Sequence, residues 1–289
     1  MGRLRWVKLE FDPEALRVKE APEVIFGEAA LSGDVAERVE AWARGLAADW
    51  PEERSVGLFY GLPGTGKTYL CGILTQHVMN CCGDCAVYRV MPGEAAYKSL
   101  GMDGRKIEAL FAAMKAHRHA LLILDDVQGL LPEGDDSDSA RDTRDAFLRG
   151  LRDTRAQVIT TTATPWAVSR AFLDEVDWKV RPDLPDAQTR KQFLLDYPSY
   201  VLGADEETSE AAAADLAART EGQDFRFLND LRRFLALEAF GRKTLRLEPD
   251  EIDDSRFAHL TREEIDEVFG RQTLLDHSGE LERIHQWNG

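Results

Sequence analysis

Gly61-Leu62-Pro63-Gly64-Thr65-Gly66-Lys67-Thr68 is the stretch from which the rest of the sequence is read. It is a glycine-rich loop that ends in Lys-Thr. A short apolar run, Val56 to Tyr60, precedes it, and a helix is expected to follow from Lys67 to Met79. A strand, such a loop and a helix in that order form a phosphate cradle. The glycines let the backbone curl so that its N–H groups point inward, and the helix N-terminus adds positive potential. Read this way, Gly61, Pro63, Gly64, Thr65, Gly66, Lys67, Thr68 and Tyr69 form the nucleotide-binding set. Lys67 is expected to reach the β- and γ-phosphates of ATP, and the Thr68 hydroxyl to ligate Mg²⁺.

A second element supports the first. Leu121-Leu122-Ile123-Leu124-Asp125-Asp126 is an apolar strand that delivers acids at its C-terminal end. A Mg²⁺ site beside a phosphate loop requires this arrangement. Asp125 is the expected metal residue, through water, and Asp126 the group that polarises the attacking water.

Outward from these motifs, strands alternate with helices. Strands are expected at Ala86 to Val90, Ala120 to Leu124, Val158 to Thr164 and Trp178 to Val180, and a short one at Trp6 to Phe11. Helices are expected at Asp34 to Ala47, Arg105 to Ala116, Ala140 to Leu151, Ala167 to Leu173 and Asp186 to Leu195, with a polar loop from Pro132 to Ser139. This alternation implies an α/β fold, a parallel sheet sandwiched by helices. After Pro198 only helices are suggested, near Ser209 to Arg219, Arg226 to Ala239, Arg262 to Phe269 and Gly279 to Trp287. The organisation expected is an N-terminal extension over 1–22, a nucleotide-binding domain over 23–197, a small all-helical lid over 198–275 and a C-terminal helix over 276–289. The extension is too short to fold alone.

Composition bounds the partners. The 289 residues are 44% hydrophobic and 30% charged, as in an ordinary soluble globular chain. No apolar run approaches the length of a membrane span, and the N-terminus lacks the apolar core of a signal peptide. Membrane insertion is therefore not expected, and the location expected is cytoplasmic. With 36 basic and 52 acidic residues the formal charge is −16. That opposes nucleic-acid binding, which needs a basic footprint. An acidic, Arg-rich chain also arises from a GC-rich genome or from adaptation to high salt, and composition does not separate the two. Cys71, Cys81, Cys82 and Cys85 cluster within a short stretch, with His77 among them. Two readings stand: reduced thiols around a helix end, or a zinc site built from His77, Cys81 or Cys82, and Cys85. The missing second ligand pair favours the first.

With these residues in hand, the sequence resembles the AAA+ ATPases, over most of its length from about Val24. GLPGTGKT is close to the GPPGTGKT of that superfamily. Ala163-Thr164-Pro165-Trp166, then Leu184-Pro185-Asp186 and Arg190, resemble a segment typical of the branch containing katanin, spastin and fidgetin. Thr220-Glu221-Gly222 resembles the lid signature, and Glu280 to Trp287 that branch's last helix. The resemblance implies ATP hydrolysis with Mg²⁺, coupled to lid motion and to remodelling of a protein partner, in a homo- or hetero-oligomer. It places the adenine near Ile25-Phe26-Gly27, so Ile25 and Gly27 join the binding set, although Ile25 is equally read as ordinary core.

Departures from the family pattern point to a different balance of activities. The water-orienting Asn of the fourth strand is Ala163 here, flanked by Thr162 and Thr164. Where the family has two arginines that reach the neighbouring subunit's γ-phosphate, this chain has Asp174 and Glu175, with Arg170 and Arg181 nearby. The substrate-gripping loop reads Lys98-Ser99-Leu100-Gly101, without the family's aromatic, beside Tyr97. Arg226, at the start of a lid helix, stands where many AAA+ proteins place an arginine that contacts the γ-phosphate from the same chain. It is equally read as an exposed arginine on an amphipathic helix. Three readings follow: a remodelling ATPase, an ATP-gated binding or scaffold protein whose hydrolysis is weak or partner-dependent, and a nucleic-acid loader, the last opposed by the charge.

Overall fold

Five strands rich in β-branched and aliphatic residues lie side by side in parallel, as buried crossover strands do. The structure is a computed structural model that describes residues 17–18, 54–81, 85–90, 103–196, 202–203, 205–244 and 259–287. The strands are β1 (Arg17–Val18), β2 (Ser55–Tyr60), β3 (Cys85–Val90), β4 (His119–Leu124), β5 (Gln157–Thr162) and β6 (Trp178–Val180). Their order in the sheet is β1-β3-β4-β5-β2-β6, with only β1 antiparallel. β1 has no counterpart in the sequence reading, because two residues carry no periodicity to detect. The strand expected at Trp6 to Phe11 and the helix expected at Asp34 to Ala47 lie outside the described residues.

The helices follow the expected order: α1 (Lys67–Cys81), α2 (Gly104–Lys115), α3 (Asp138–Arg152), α4 (Arg170–Leu173), α5 (Ala187–Leu195), α6 (Glu206–Arg219), α7 (Phe225–Thr244), α8 (Arg262–Gly270) and α9 (Ser278–Gln286). Most boundaries that moved did so for local reasons. Ser137 accepts a hydrogen bond from the Ala140 amide, which starts α3 at Asp138 rather than Ala140. Strand β5 stops at Thr162, whose hydroxyl turns back to accept from the Thr164 amide. The helix expected over Ala167 to Leu173 is instead a 3₁₀ turn at Pro165–Ala167 followed by the short α4. The backbone between them is committed elsewhere: Glu133 N–H donates to Ala167 O, and Ser169 N–H to Leu131 O.

Side-chain alternation divides the sheet into two faces. On one face Val56, Leu58, Tyr88, Leu122, Leu124 and Val158 meet α2, α3 and α4, with Phe147 edge-on to both Phe111 and Phe172. On the other, Phe59, Val87, Leu121, Ile123 and Ile159 meet Leu70, Cys71, Leu74 and Val78 of α1. A separate core joins Leu194 and Leu202 to Ala213, Leu216, Leu228, Leu231, Leu235, Ile265 and Val268. Thus α5, which precedes the change of pattern at Pro198, shares its buried side with the lid helices. Arg190 ties the two, donating from within the protein to Ala217 O at 2.9 Å and Pro185 O at 2.6 Å. Among the described residues, no helix is long and apolar enough to cross a membrane.

Candidate functional site

The site forms at the C-terminal ends of β2, β4 and β5, where the sheet opens toward the helical lid. Gly61 to Gly66 carries the chain from β2 into α1, and its first amide donates to Thr162 O at 3.3 Å. The Thr65 hydroxyl donates to Leu62 O at 2.9 Å and closes the loop on itself. Lys67 is 8% exposed, and its ammonium donates to the carbonyls of Gly61 at 2.8 Å and Leu62 at 2.7 Å. Burial lowers its pKa to about 8, against the opposing charges of Asp126 and Asp125. The Arg226 guanidinium, on the exposed start of α7, pushes it further down, so this arginine lies within electrostatic reach of the lysine.

Thr68 and Asp125, the two residues expected at the metal, lie side by side: the Thr68 hydroxyl donates to Asp125 Oδ1 at 3.2 Å. A hydroxyl and a carboxylate, both hard oxygen donors, fit a divalent magnesium ion. Asp125 is 3% exposed. Asp126 follows in the left-handed region at φ 49°, the one non-glycine with positive φ among the described residues. Asp tolerates that conformation better than most residues. Tyr69, half-buried, lies within reach of the Asp196 charge at the end of α5, and burial raises its phenol pKa. Pro63 is also half-buried. Ile25 and Gly27 lie outside the described residues, as do Tyr97, Lys98, Leu100 and Gly101.

One residue that sequence reasoning missed organises both acids. Thr161 donates to Asp125 Oδ1 at 2.9 Å and accepts from the Asp126 amide at 3.0 Å. The threonines named in its stead do other things. The Thr162 hydroxyl donates to Gln128 Oε1 at 2.7 Å, and Thr164 offers its amide to Thr162. Strand alternation held the signal, since Thr161 is two residues beyond Ile159 and shares its face, toward α1.

The positions aligned with the family's paired arginines are structurally committed. Glu175 accepts from Arg54 on Oε2 at 2.5 Å and, on Oε1, from two nitrogens of Arg152 at 3.0 and 2.8 Å, knotting the start of β2 to the end of α3. Asp174 pairs on the surface with Arg170 at 3.5 Å. Arg181 pairs with Asp183 at 3.2 Å, and its stem lies against Gly61 of its own loop.

The lid closes directly on the phosphate loop. Phe225 N–H donates to Gly64 O at 3.0 Å. Gly64 has φ +79°, and a Cβ there would fall 2.2 Å from Asp224 Oδ2. Only glycine meets both conditions. Asp224 caps α7 by accepting from the Phe227 amide at 2.8 Å and faces His277 at 3.7 Å. Gln223 clamps the segment before α9, donating to Leu275 O at 3.0 Å and accepting from its amide at 2.8 Å. Beyond α9, Trp287 packs edge-on against Tyr60 at the end of β2, and Arg283 stacks over Trp166 at 4.0 Å. No cluster of metal-ligating side chains occurs among the described residues. Cys71 is buried and Cys85 partly exposed, while Cys82 and the side chains of His77 and Cys81 lie outside the described residues.

The chain is similar to known proteins over the stretch that carries this site. Residues 57–184 match the model of the ATPase family associated with various cellular activities (AAA). The chain is 25% identical over 201 residues to the katanin p60 ATPase-containing subunit A1 of Arabidopsis thaliana, covering 64% of this chain and 37% of that one. It is 24% identical over 244 residues to cell division protein C of Sulfolobus acidocaldarius, covering 75% and 60%. It spans 31% to 38% of the length of several other curated relatives. The fold superposes on the FIGL-1 AAA domain in complex with ADP with a TM-score of 0.70 at 16% identity, over 98% of both chains.

Proposed function

We propose that this chain, which carries an AAA domain over residues 57–184, binds ATP with Mg²⁺, hydrolyses it, and converts the event into movement of its helical lid. The observation that carries the reading is the convergence of Lys67, Thr68, Asp125 and Asp126 beneath a loop whose Gly64 is hydrogen-bonded to the lid. ATP offers its phosphates to the inward-facing amides of Gly64 to Thr68. Lys67 exchanges its two carbonyl acceptors for phosphate oxygens, which favours its charged form. Thr68 and Asp125 would hold Mg²⁺, which would supply positive charge to offset that of the phosphates. Asp126 orients water toward the γ-phosphorus. The water oxygen bonds to the γ-phosphorus as the bond to the bridging oxygen breaks; one proton of the water passes by way of Asp126 to solvent, and ADP and inorganic phosphate leave. Thr161 fixes both acids in register. Arg226 contributes positive charge from the lid side.

Contact between Asp224-Phe225 and Gly64 makes the lid sensitive to the state of the loop, and α9 carries the movement back to Tyr60 and Trp166. The substrate is an unidentified protein. The chain acts as a homo- or hetero-oligomer in the cytoplasm, and the charge of −16 argues against nucleic acid.

A second reading has its own support. Glu175 is held by two arginines where an arginine finger is expected, and such a finger is worth several orders of magnitude in rate. The chain then serves as an ATP-gated binding protein, or draws its arginine from another subunit in a mixed ring. Titration calorimetry of ATP into wild type and Lys67→Ala tests the shared premise. The variant should lose about a hundredfold or more in affinity, two charge-assisted hydrogen bonds' worth. Retained affinity would overturn the assignment.

A further inference from the structure

Arg89 is a partly buried cation placed against the acid assigned to the metal. It lies on β3, two residues beyond Val87, on the face of the sheet that carries α1. Its side chain is 14% exposed, and its Nη2 lies 3.6 Å from Asp125 Oδ2. Its Nε is buried without a hydrogen-bond partner among the described residues. The other carboxylate oxygen of Asp125 is already taken by the hydroxyls of Thr68 and Thr161. The guanidinium's charge is also felt by buried Cys71 in the second turn of α1. A guanidinium cannot discharge itself by losing a proton. At 3.6 Å the pair is an ion pair rather than a hydrogen bond, so it sets charge more than direction.

We propose that Arg89 acts through Asp125 by its charge, competing with Mg²⁺ for the carboxylate, and so sets the Mg²⁺ concentration at which nucleotide binds. The inference rests on the assignment of Asp125 to the metal. Before Mg²⁺ enters, Asp125 is compensated by the charges of Arg89 and Lys67 and aligned by its two threonines. When Mg²⁺ enters, the carboxylate faces two cations, and their repulsion opposes the metal. An ion held by a carboxylate feels an extra unit charge a few ångströms away as about a tenfold change in its equilibrium, the scale on which neighbouring charges shift proton binding. A structural arginine without this role would alter stability and leave the metal requirement where it was.

The test measures binding of ADP carrying a fluorescent ribose label while Mg²⁺ is titrated, in wild type, Arg89→Met and Arg89→Lys. Arg89→Met should reach half-saturation at about one-tenth of the wild-type Mg²⁺ concentration. Arg89→Lys should stay near wild type, because the charge remains. Should Arg89→Met fail to fold by circular dichroism, Arg89→Gln carries the same expectation. In an Asp125→Asn background, removing Arg89 should produce no shift, since the shared carboxylate is gone. An unchanged or raised Mg²⁺ requirement in the neutral variants would overturn the proposal, as would a shift that persists in Asp125→Asn. Wild type that binds no labelled ADP at any Mg²⁺ concentration would instead bring down the nucleotide assignment, and this inference with it.

Discussion

Lys67 is stored in an environment that disfavours its charge. Burial sets its pKa at about 8, so the ammonium is present at pH 7 and is lost as pH rises through about 8. Phosphate stabilises the charged form, and the complex therefore holds more protons than the free protein above that pH. ATP affinity should be level below pH 7.5 and fall toward tenfold per pH unit above about 8. Calorimetry between pH 6.5 and 9.5 checks this, and a flat profile would show that Lys67 is not the group binding phosphate. Thr161 gives a second expectation at this scale. Thr161→Val keeps the shape of the side chain but removes one of the two hydroxyls on buried Asp125. Denaturant unfolding should show a loss of about 1–2 kcal/mol. The phosphate loop and both acids were legible in the sequence because their chemistry is local and ordered along the chain. Thr161 and Arg89 were not singled out, because their roles depend on which strands lie side by side. Period-two alternation would have put both on the face of α1, but only the sheet order brings that face to Asp125.

Elements were read well where an apolar period ran uninterrupted, as in β4 and α2, and less well where a cap, as at Asp205 before α6, or a distant backbone bond decided the end. The helix expected over Ala167 to Leu173 shortened because the loop at Leu131 to Glu133 claims its first amides and carbonyls. The same limit applies to the arginine-finger positions. Sequence alignment shows Asp174 and Glu175 as two substituted neighbours, but the fold distinguishes them. Asp174 caps α4 at the surface, whereas Glu175 joins β2, α3 and the approach to β6. Restoring an arginine should therefore be tolerated at one and not the other. Asp174→Arg should cost within about 1 kcal/mol, as a lost surface pair does. Glu175→Arg, set among Arg54 and Arg152, should cost ~2–3 kcal/mol. Equal costs in thermal or denaturant unfolding would contradict the assigned role of Glu175.

At the scale of the whole molecule, the account depends on contact between the phosphate loop and the lid. Gly64 sits at that contact, and Gly134 provides a matched control. Both have positive φ, but a Cβ at Gly134 meets nothing within 4 Å, whereas at Gly64 it meets Asp224. Gly134→Ala should show only the strain of a left-handed residue, roughly 1–2 kcal/mol. Gly64→Ala should lose more, together with nucleotide binding, because it pushes the lid from the loop. That helices alone follow the sheet was legible in the sequence, but the packing of α5 with those helices was not, since a helix does not announce which core its apolar side enters. The most direct test of the central claim is steady-state ATP turnover across a wide range of protein concentration, with Mg²⁺ present and Lys67→Ala as control. Turnover that rises more steeply than in proportion to concentration and vanishes in Lys67→Ala is the expected result. Turnover that survives Lys67→Ala, or tight ATP binding with no turnover at any concentration, would contradict it, the latter leaving a nucleotide-gated binding protein.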